Sequence, residues 1–305
     1  MKKMLAACGV AACAFPIAAS ASCGAAFCLV NTDWSVQGVF TEPGSRFDLR
    51  YESINLDQPR AGRDRVSVGE IPRHHDEVQT RIRNWVATYD RNITASLGFS
   101  VSIPFVDRNH THIHNHHGEQ LLETWDFREL GDMRISGRYA GFNAGLKLPT
   151  GKTDVRNAEG EEAERTLQPG TGTTDLLLGY AMNAAAAIDH TTWFAQAYGT
   201  VPLNSRDGFK PGKRLGVDAG LRYAGIPDWG FMLQVNYQAS GRDRGENAEP
   251  EDSGKRELFV TPGISWNAAK SLQAYGFVQL PVYQSVNGVQ LTADWLVTVG
   301  LSWRF

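Results

Sequence analysis

The sequence predicts an all-β fold, a transmembrane antiparallel β-barrel of about 12 strands. Three observations carry this reading. Apolar and polar residues alternate over long runs, short turns alternate with long polar connections, and the first residues have the composition of an export signal. Between Gln290 and Phe305 every second residue is apolar: Leu291, Ala293, Trp295, Val297, Val299, Leu301, Trp303 and Phe305. Between them stand Thr292, Asp294, Leu296, Thr298, Gly300, Ser302 and Arg304. A period of two makes a strand with one oily face and one mostly polar face.

The start of the chain divides into two parts before the barrel. Lys2 and Lys3 precede a mostly apolar run, Met4 to Ala19, and Ala19-Ser20-Ala21 offers a cleavage site. Residues 1–21 therefore read as a signal peptide. Residues 22–45 read as an N-terminal periplasmic segment, and 46–305 as the barrel. No later stretch reaches the roughly 18 apolar residues of a helical span, so a membrane crossing must use strands. The net charge of −3 argues against a nucleic-acid partner. Of four cysteines, Cys8 and Cys13 leave with the signal. Cys23 and Cys28, close together in an exported chain, predict a small disulfide loop. Lipidation of Cys23 and a thiolate metal site are the alternatives; Ser20-Ala21-Ser22 is a poor lipidation signal.

Taken in order, the predicted strands are 46–55, 79–90, 93–104, 131–140, 142–149, 173–183, 191–203, 214–224, 229–241, 257–267, 272–284 and 290–305. An additional short strand is placed near 34–40. Typical alternation is that of Ile93, Ala95, Leu97, Phe99, Val101 and Ile103, or of Phe231, Leu233, Val235, Tyr237 and Ala239. Short connections at Asp90-Arg91-Asn92, Ala140-Gly141, Ile226-Pro227-Asp228 and Ala268-Ala269-Lys270 alternate with long ones at 56–78, 104–130, 150–172, 204–213 and 242–256. Outer-membrane barrels have short periplasmic turns and long outer loops. Counting back from a periplasmic C-terminus puts every long connection outside. A secreted β-sandwich would instead alternate over about five or six residues per strand. Trp303, Trp266, Tyr223, Trp229, Tyr139, Tyr180 and Tyr89 fall near the turn-side strand ends, where an aromatic girdle belongs; ordinary β-propensity is the plainer account. The final strand also resembles the closing strand of bacterial outer-membrane barrels, which usually ends on Phe. The expected setting is a monomer in the outer membrane of a Gram-negative cell, in contact with its lipid.

The middle of the chain carries a more specific resemblance. Gly131-Asp132 opens a strand ending in Arg138-Tyr139. Then come Gly145-Leu-Lys-Leu-Pro-Thr-Gly151, Gln168-Pro-Gly-Thr-Gly172 and Asp175-Leu-Leu-Leu-Gly-Tyr180. This pattern resembles the outer-membrane transporter family of the phenol-degradation meta-pathway. The resemblance implies a barrel that passes small hydrophobic compounds, and it implies no catalytic residue. The Pro-Thr-Gly and Pro-Gly-Thr-Gly pieces also read simply as strand-to-loop breakers.

Seven of the eight histidines cluster. His74 and His75 precede the second strand; His110, His112, His114, His116 and His117 follow the third; His190 stands apart. The tight turn at 90–92 makes those two strands a hairpin, so both clusters reach one outer rim. Alternate histidines on an extended backbone share a face, and neutral imidazole ligates Zn, Cu, Ni or Co. The seven are therefore the candidate ligands for a divalent transition metal, with Asp76, Glu77, Asp107 and Glu119 as further partners. A solvated polar loop and a pH-responsive loop are the competing accounts.

Inward positions should include Asp48, Arg50, Glu52, Arg134, Arg138, Lys147, Asp175, Asp218, Arg222, Asp294 and Arg304. These charges would either cross-link and fill the lumen or line a narrow polar channel. The expected function is a transporter or channel for small molecules or metal, with no enzymatic activity. A structural or adhesive barrel, and a metal-dependent lipid hydrolase using Ser100 or Ser102, are the alternatives.

Overall fold

In lipid, a strand can satisfy its backbone only through neighbours on both edges, and this chain meets that demand by closing on itself. A computed structural model describes residues 30–72, 75–116 and 119–305, apart from the side chains of His75, His116 and Glu119. The signal peptide at 1–21, the Cys23–Cys28 pair, His74 and His117 lie outside the described residues.

The strands are β1 (Gly44–Leu56), β2 (Gln58–Ala61), β3 (Asp64–Arg65), β4 (His75–Asn92), β5 (Leu97–His116), β6 (Glu119–Leu130), β7 (Arg134–Tyr139) and β8 (Phe142–Lys147). After them come β9 (Asp175–Ala185), β10 (Thr191–Pro202), β11 (Arg214–Ile226), β12 (Trp229–Ser240), β13 (Lys255–Ala269), β14 (Leu272–Val286), β15 (Val289–Thr292) and β16 (Leu296–Arg304). Twelve of them form the wall, in the order β1-β4-β5-β7-β8-β9-β10-β11-β12-β13-β14-β16, with β16 pairing back onto β1. Every wall pairing is antiparallel, and each wall strand overlaps one of the twelve predicted spans. The protein is an outer-membrane β-barrel.

The wall is polar inside and oily outside. On β1 the side chains of Arg46, Asp48 and Glu52 are buried, while Phe47 and Leu49 between them are exposed. Outward on β16 and beyond it are Val299, Leu301, Trp303 and Phe305. This reverses the soluble pattern because the outer solvent is hydrocarbon. Rings gather at the turn side: Trp229 stacks on Trp266 at 6.1 Å, Phe142 meets Tyr180 at 4.8 Å and Trp303 meets Phe305 at 5.5 Å. The turn between β7 and β8 is Ala140-Gly141, both residues at positive φ, the geometry a two-residue hairpin requires.

Three expectations need correction. The connection at 104–130 is not an irregular loop: β5 runs on to His116, and β6 returns along it from Glu119. A spanning strand needs about 9–11 residues, so the upper half of the 20-residue β5, with β6, stands beyond the bilayer. The final strand breaks at 293–295. Its first part, β15, leaves the wall and pairs with β2 in a small sheet with β3. Leu291 and Ala293 are consequently buried rather than lipid-facing. Asp294 is correspondingly outside the lumen, in an exposed ion pair with Arg65 at 2.6 Å. Residues 34–40 are a tight turn, not a strand: Asp33 Oδ1 accepts from the Ser35 amide, and the Trp34 carbonyl accepts from Val39 N–H at 2.7 Å.

The topology yields a direct test. An epitope inserted at 160–164 or 244–248 should be reached by antibody on intact cells, and one at 226–228 should not. Reversed labelling would invert the assigned orientation.

Candidate functional site

The lumen is the first candidate. It holds a cavity of about 820 Å³ whose wall mixes charge and hydrocarbon. Asp48, Arg50, Arg134, Arg138 and Asp218 line it together with Ile54, Leu56, Leu177, Phe259 and Leu296. The inward charges are partly cross-linked. Arg46 pairs with Asp90, Arg50 with Glu52 at 2.9 Å, and Lys147 with Asp175 at 3.1 Å, yet space remains. Ser100 and Ser102 also line the cavity, and Ser102 accepts a hydrogen bond from Thr88 at 3.1 Å.

The chain before β1 bears on this space. Residues 30–43 enter the lumen from the periplasmic end. Trp34 is fully buried, edge-on to Tyr275 at 5.1 Å. Gln234 clasps Asn31 by two bonds, its Oε1 accepting from the amide at 3.1 Å and its Nε2 donating to the carbonyl at 3.0 Å. Arg50 Nη1 donates to Thr32 Oγ1 at 2.6 Å, and Asn92 Nδ2 to the Phe40 carbonyl at 2.9 Å. Bonds to β1, β4 and β12 make this segment a plug fastened across the bore.

A buried lysine organises the outer end of the short β7–β8 hairpin. Lys147 Nζ donates to Asp132 Oδ2 at 2.9 Å, to Asp175 and to Thr171. Asp132 also accepts from the amides of Thr171 at 2.9 Å and Gly151 at 3.1 Å. Gly151 and Gly170 are pressed together: a Cβ on Gly170 would lie 2.5 Å from the Gly151 carbonyl oxygen. The 131–175 motif residues thus knot the base of the 148–174 loop.

The second candidate is the histidine rim. His110, His112 and His114 alternate on β5, and their backbones pair with Thr80, Glu77 and His75 of β4. On the other side His112 pairs with Glu123 of β6. His110 and His112 are buried against Trp125, whose ring lies 5.9 Å and 4.8 Å from theirs. Trp125 Nε1 in turn donates to the Glu161 carbonyl of the 148–174 loop at 3.0 Å. Burial lowers the His112 pKa, and the Glu123 carboxylate opposes the shift. His75 stands opposite His114 in the backbone register, and His116 ends β5. His190 lies in the periplasmic turn before β10 at positive φ. Of the expected acidic partners whose side chains are described, only Glu77 is in the cluster; the side chain of Glu119 is outside the described set. Asp76 accepts from Asn115 at 2.8 Å, and Asp107 pairs with Arg83 and Arg128. Glu123, Thr80 and Trp125 are not among the residues the sequence singles out; alternation of Glu123, Trp125 and Phe127 is the signal that points to them. Nearby, burial pushes the Glu164 carboxyl well above its usual range, and Glu249, Glu77, Asp252 and Glu123 push the same way.

No family model and no curated protein matches the chain. Among solved structures it is similar to an outer-membrane channel from Pseudomonas putida F1, with a TM-score of 0.61 at 12% identity over 87% of this chain and 96% of that one. The P. putida toluene transporter TodX and the Ralstonia pickettii toluene transporter TbuX each give a TM-score of 0.44 at 10% identity. They cover 89% and 88% of this chain and 91% of their own. The first likeness shows a shared fold; the other two are too loose to carry an argument.

The lysine knot predicts a stability contrast. Lys147→Met leaves Asp132 and Asp175 buried without their cation, a loss of about 3–5 kcal/mol. Lys152→Met removes only an exposed pair with Glu129 and should cost under about 1 kcal/mol. Unfolding midpoints in detergent should separate the two variants clearly.

Proposed function

We propose that the protein is an outer-membrane channel for small, largely apolar compounds. The observation that carries this is the 820 Å³ cavity inside a closed wall, lined by apolar side chains set among charges. A packed structural barrel would fill that space with side chains. The mixed lining suits a small molecule with one polar edge: hydrocarbon contacts Ile54, Leu177 and Phe259, and the polar edge meets Arg134 or Asp218. The resemblance of 131–180 to the phenol-degradation meta-pathway transporters supports the same reading, as does the channel name carried by the similar P. putida structure.

Of the two serines weighed as nucleophiles, neither stands beside a described histidine. Ser102 and His110 are on the same strand, eight residues and roughly 26 Å apart. In the channel reading the plug governs throughput, because its residues Asn31, Asp33 and Phe40 form part of the cavity wall.

Conductance in planar bilayers and uptake of phenol into proteoliposomes test this. The intact protein should conduct weakly. Trp34→Ala, which removes the ring wedged against Tyr275, should raise conductance severalfold while leaving heat-modifiable gel mobility unchanged. A folded barrel that neither conducts nor admits phenol, with or without Trp34, would sink the channel reading.

A further inference from the structure

Three donor atoms converge on the inner face of the outer hairpin. His110 Nε2 lies 3.4 Å from Glu77 Oε2 and 3.3 Å from His112 Nδ1. All three side chains are almost wholly buried. Bonds of about 2.05 Å at tetrahedral angles place neighbouring ligand atoms about 3.3 Å apart, so both separations are edges of a zinc-sized tetrahedron. We propose that Glu77, His110 and His112 bind one resident divalent transition-metal ion of the zinc class. The ion clips β4 to β5 beyond the bilayer.

The surrounding groups orient the ligands. His112 Nε2 is 2.9 Å from Glu123 Oε2. A carboxylate only accepts, so Nε2 donates to Glu123, and Nδ1 is the nitrogen that faces His110 and is left to ligate. His110 Nδ1 sits 2.8 Å from Thr80 Oγ1, which can accept a hydrogen bond from Nδ1–H and leave Nε2 as the second nitrogen ligand. Metal-bound histidines characteristically spend their other N–H in this way. Trp125 and the 148–174 loop shield the site. Two nitrogens and one carboxylate leave a fourth position for solvent.

A neighbouring group competes for the assignment: His112, His114 and Glu123 also lie within reach of one another. That centre would use His112 Nε2, the atom already at hydrogen-bond length from Glu123. His114 Nδ1 is 3.6 Å from the same carboxylate and a quarter exposed. A neutral imidazole cannot offer both nitrogens, so the two centres exclude one another. The inner one has the better spacing and burial.

The test is titration of chelator-stripped, folded protein in detergent with Zn²⁺ by calorimetry and with Co²⁺ by visible absorption. One equivalent should bind, with the intense Co²⁺ bands of a tetrahedral site. Glu77→Gln and His110→Asn should each weaken binding at least tenfold, and Glu123→Gln about tenfold or more through loss of orientation. His114→Ala should leave affinity within a factor of two. Zn²⁺ should raise the unfolding midpoint of the wild type and not of Glu77→Gln. Gel mobility with and without boiling confirms that each variant is folded. Absence of binding overturns the proposal. So does loss on His114→Ala with retention in Glu77→Gln, which would give the ion to the outer centre. Binding that survives Glu77→Gln and His110→Asn together would assign it to the histidine-rich tip and equally overturn it.

Discussion

The governing constraint is that hydrocarbon offers no hydrogen-bonding partner to a backbone N–H or C=O. A sheet in lipid can have no edge, so β16 must return to β1, and the wall strands run antiparallel to their neighbours, joined alternately by short turns and long outer connections. Once the wall is closed, the side-chain rule follows from geometry: alternate residues face lipid or lumen. That is why Arg46, Asp48 and Glu52 are inside and Phe47 and Leu49 outside. The buried charges and polar groups in turn need partners, because leaving either unpaired away from bulk water is costly. The ion pairs, the knot around Lys147 and the plug bonds at Gln234 and Asn92 are all answers to that second requirement.

The knot changes how the most recognisable stretch of sequence is understood. Asp132, Lys147, Gly151, Gly170, Thr171 and Asp175 form one buried unit at the shortest part of the wall. Six-residue strands β7 and β8 bring few ladder bonds, so charge-assisted bonds hold the long loop above them. These residues shape the vestibule, and none of them lines the cavity in the lumen below. In the channel we propose, cargo preference therefore rests with the lining at Ile54, Leu177, Arg134 and Asp218.

How far the sequence could be read depended on which period it displayed. Twelve wall strands were legible because lipid enforces strict alternation on one face. The break at Ala293–Trp295 was not, since the alternation of apolar residues continues straight through it; Leu291 and Ala293 are apolar because they pack inward over the mouth, not because they meet lipid. The β5–β6 extension was hidden by its charge: both faces of a strand outside the bilayer can be polar, so 104–130 resembled a loop. For the rim, sequence showed that alternate histidines share a face and that two strands bring partners together. It could not show that Glu77 and Thr80 would both flank His110, because a bulge between Glu77 and Gln79 resets the side-chain parity of β4. Nor could it place Trp34 across the bore, which depends on contacts with Tyr275 and Gln234 some two hundred residues away.

The small sheet of β2, β3 and β15 has a consequence for how the barrel comes apart. It joins the segment following the first wall strand to the segment preceding the last, directly above the seam where the two ends of the chain meet. Residues 58–61 pair with 289–292, Arg60 donates to Thr292, and Arg65 holds Asp294. The seam is the one place where the wall can unzip without first opening a hairpin. Here it is stitched twice, once within the bilayer and once above it. Parting the wall from its outer end requires both sets of bonds to fail together, so the cap raises the barrier to opening more than its own few hydrogen bonds would add to equilibrium stability.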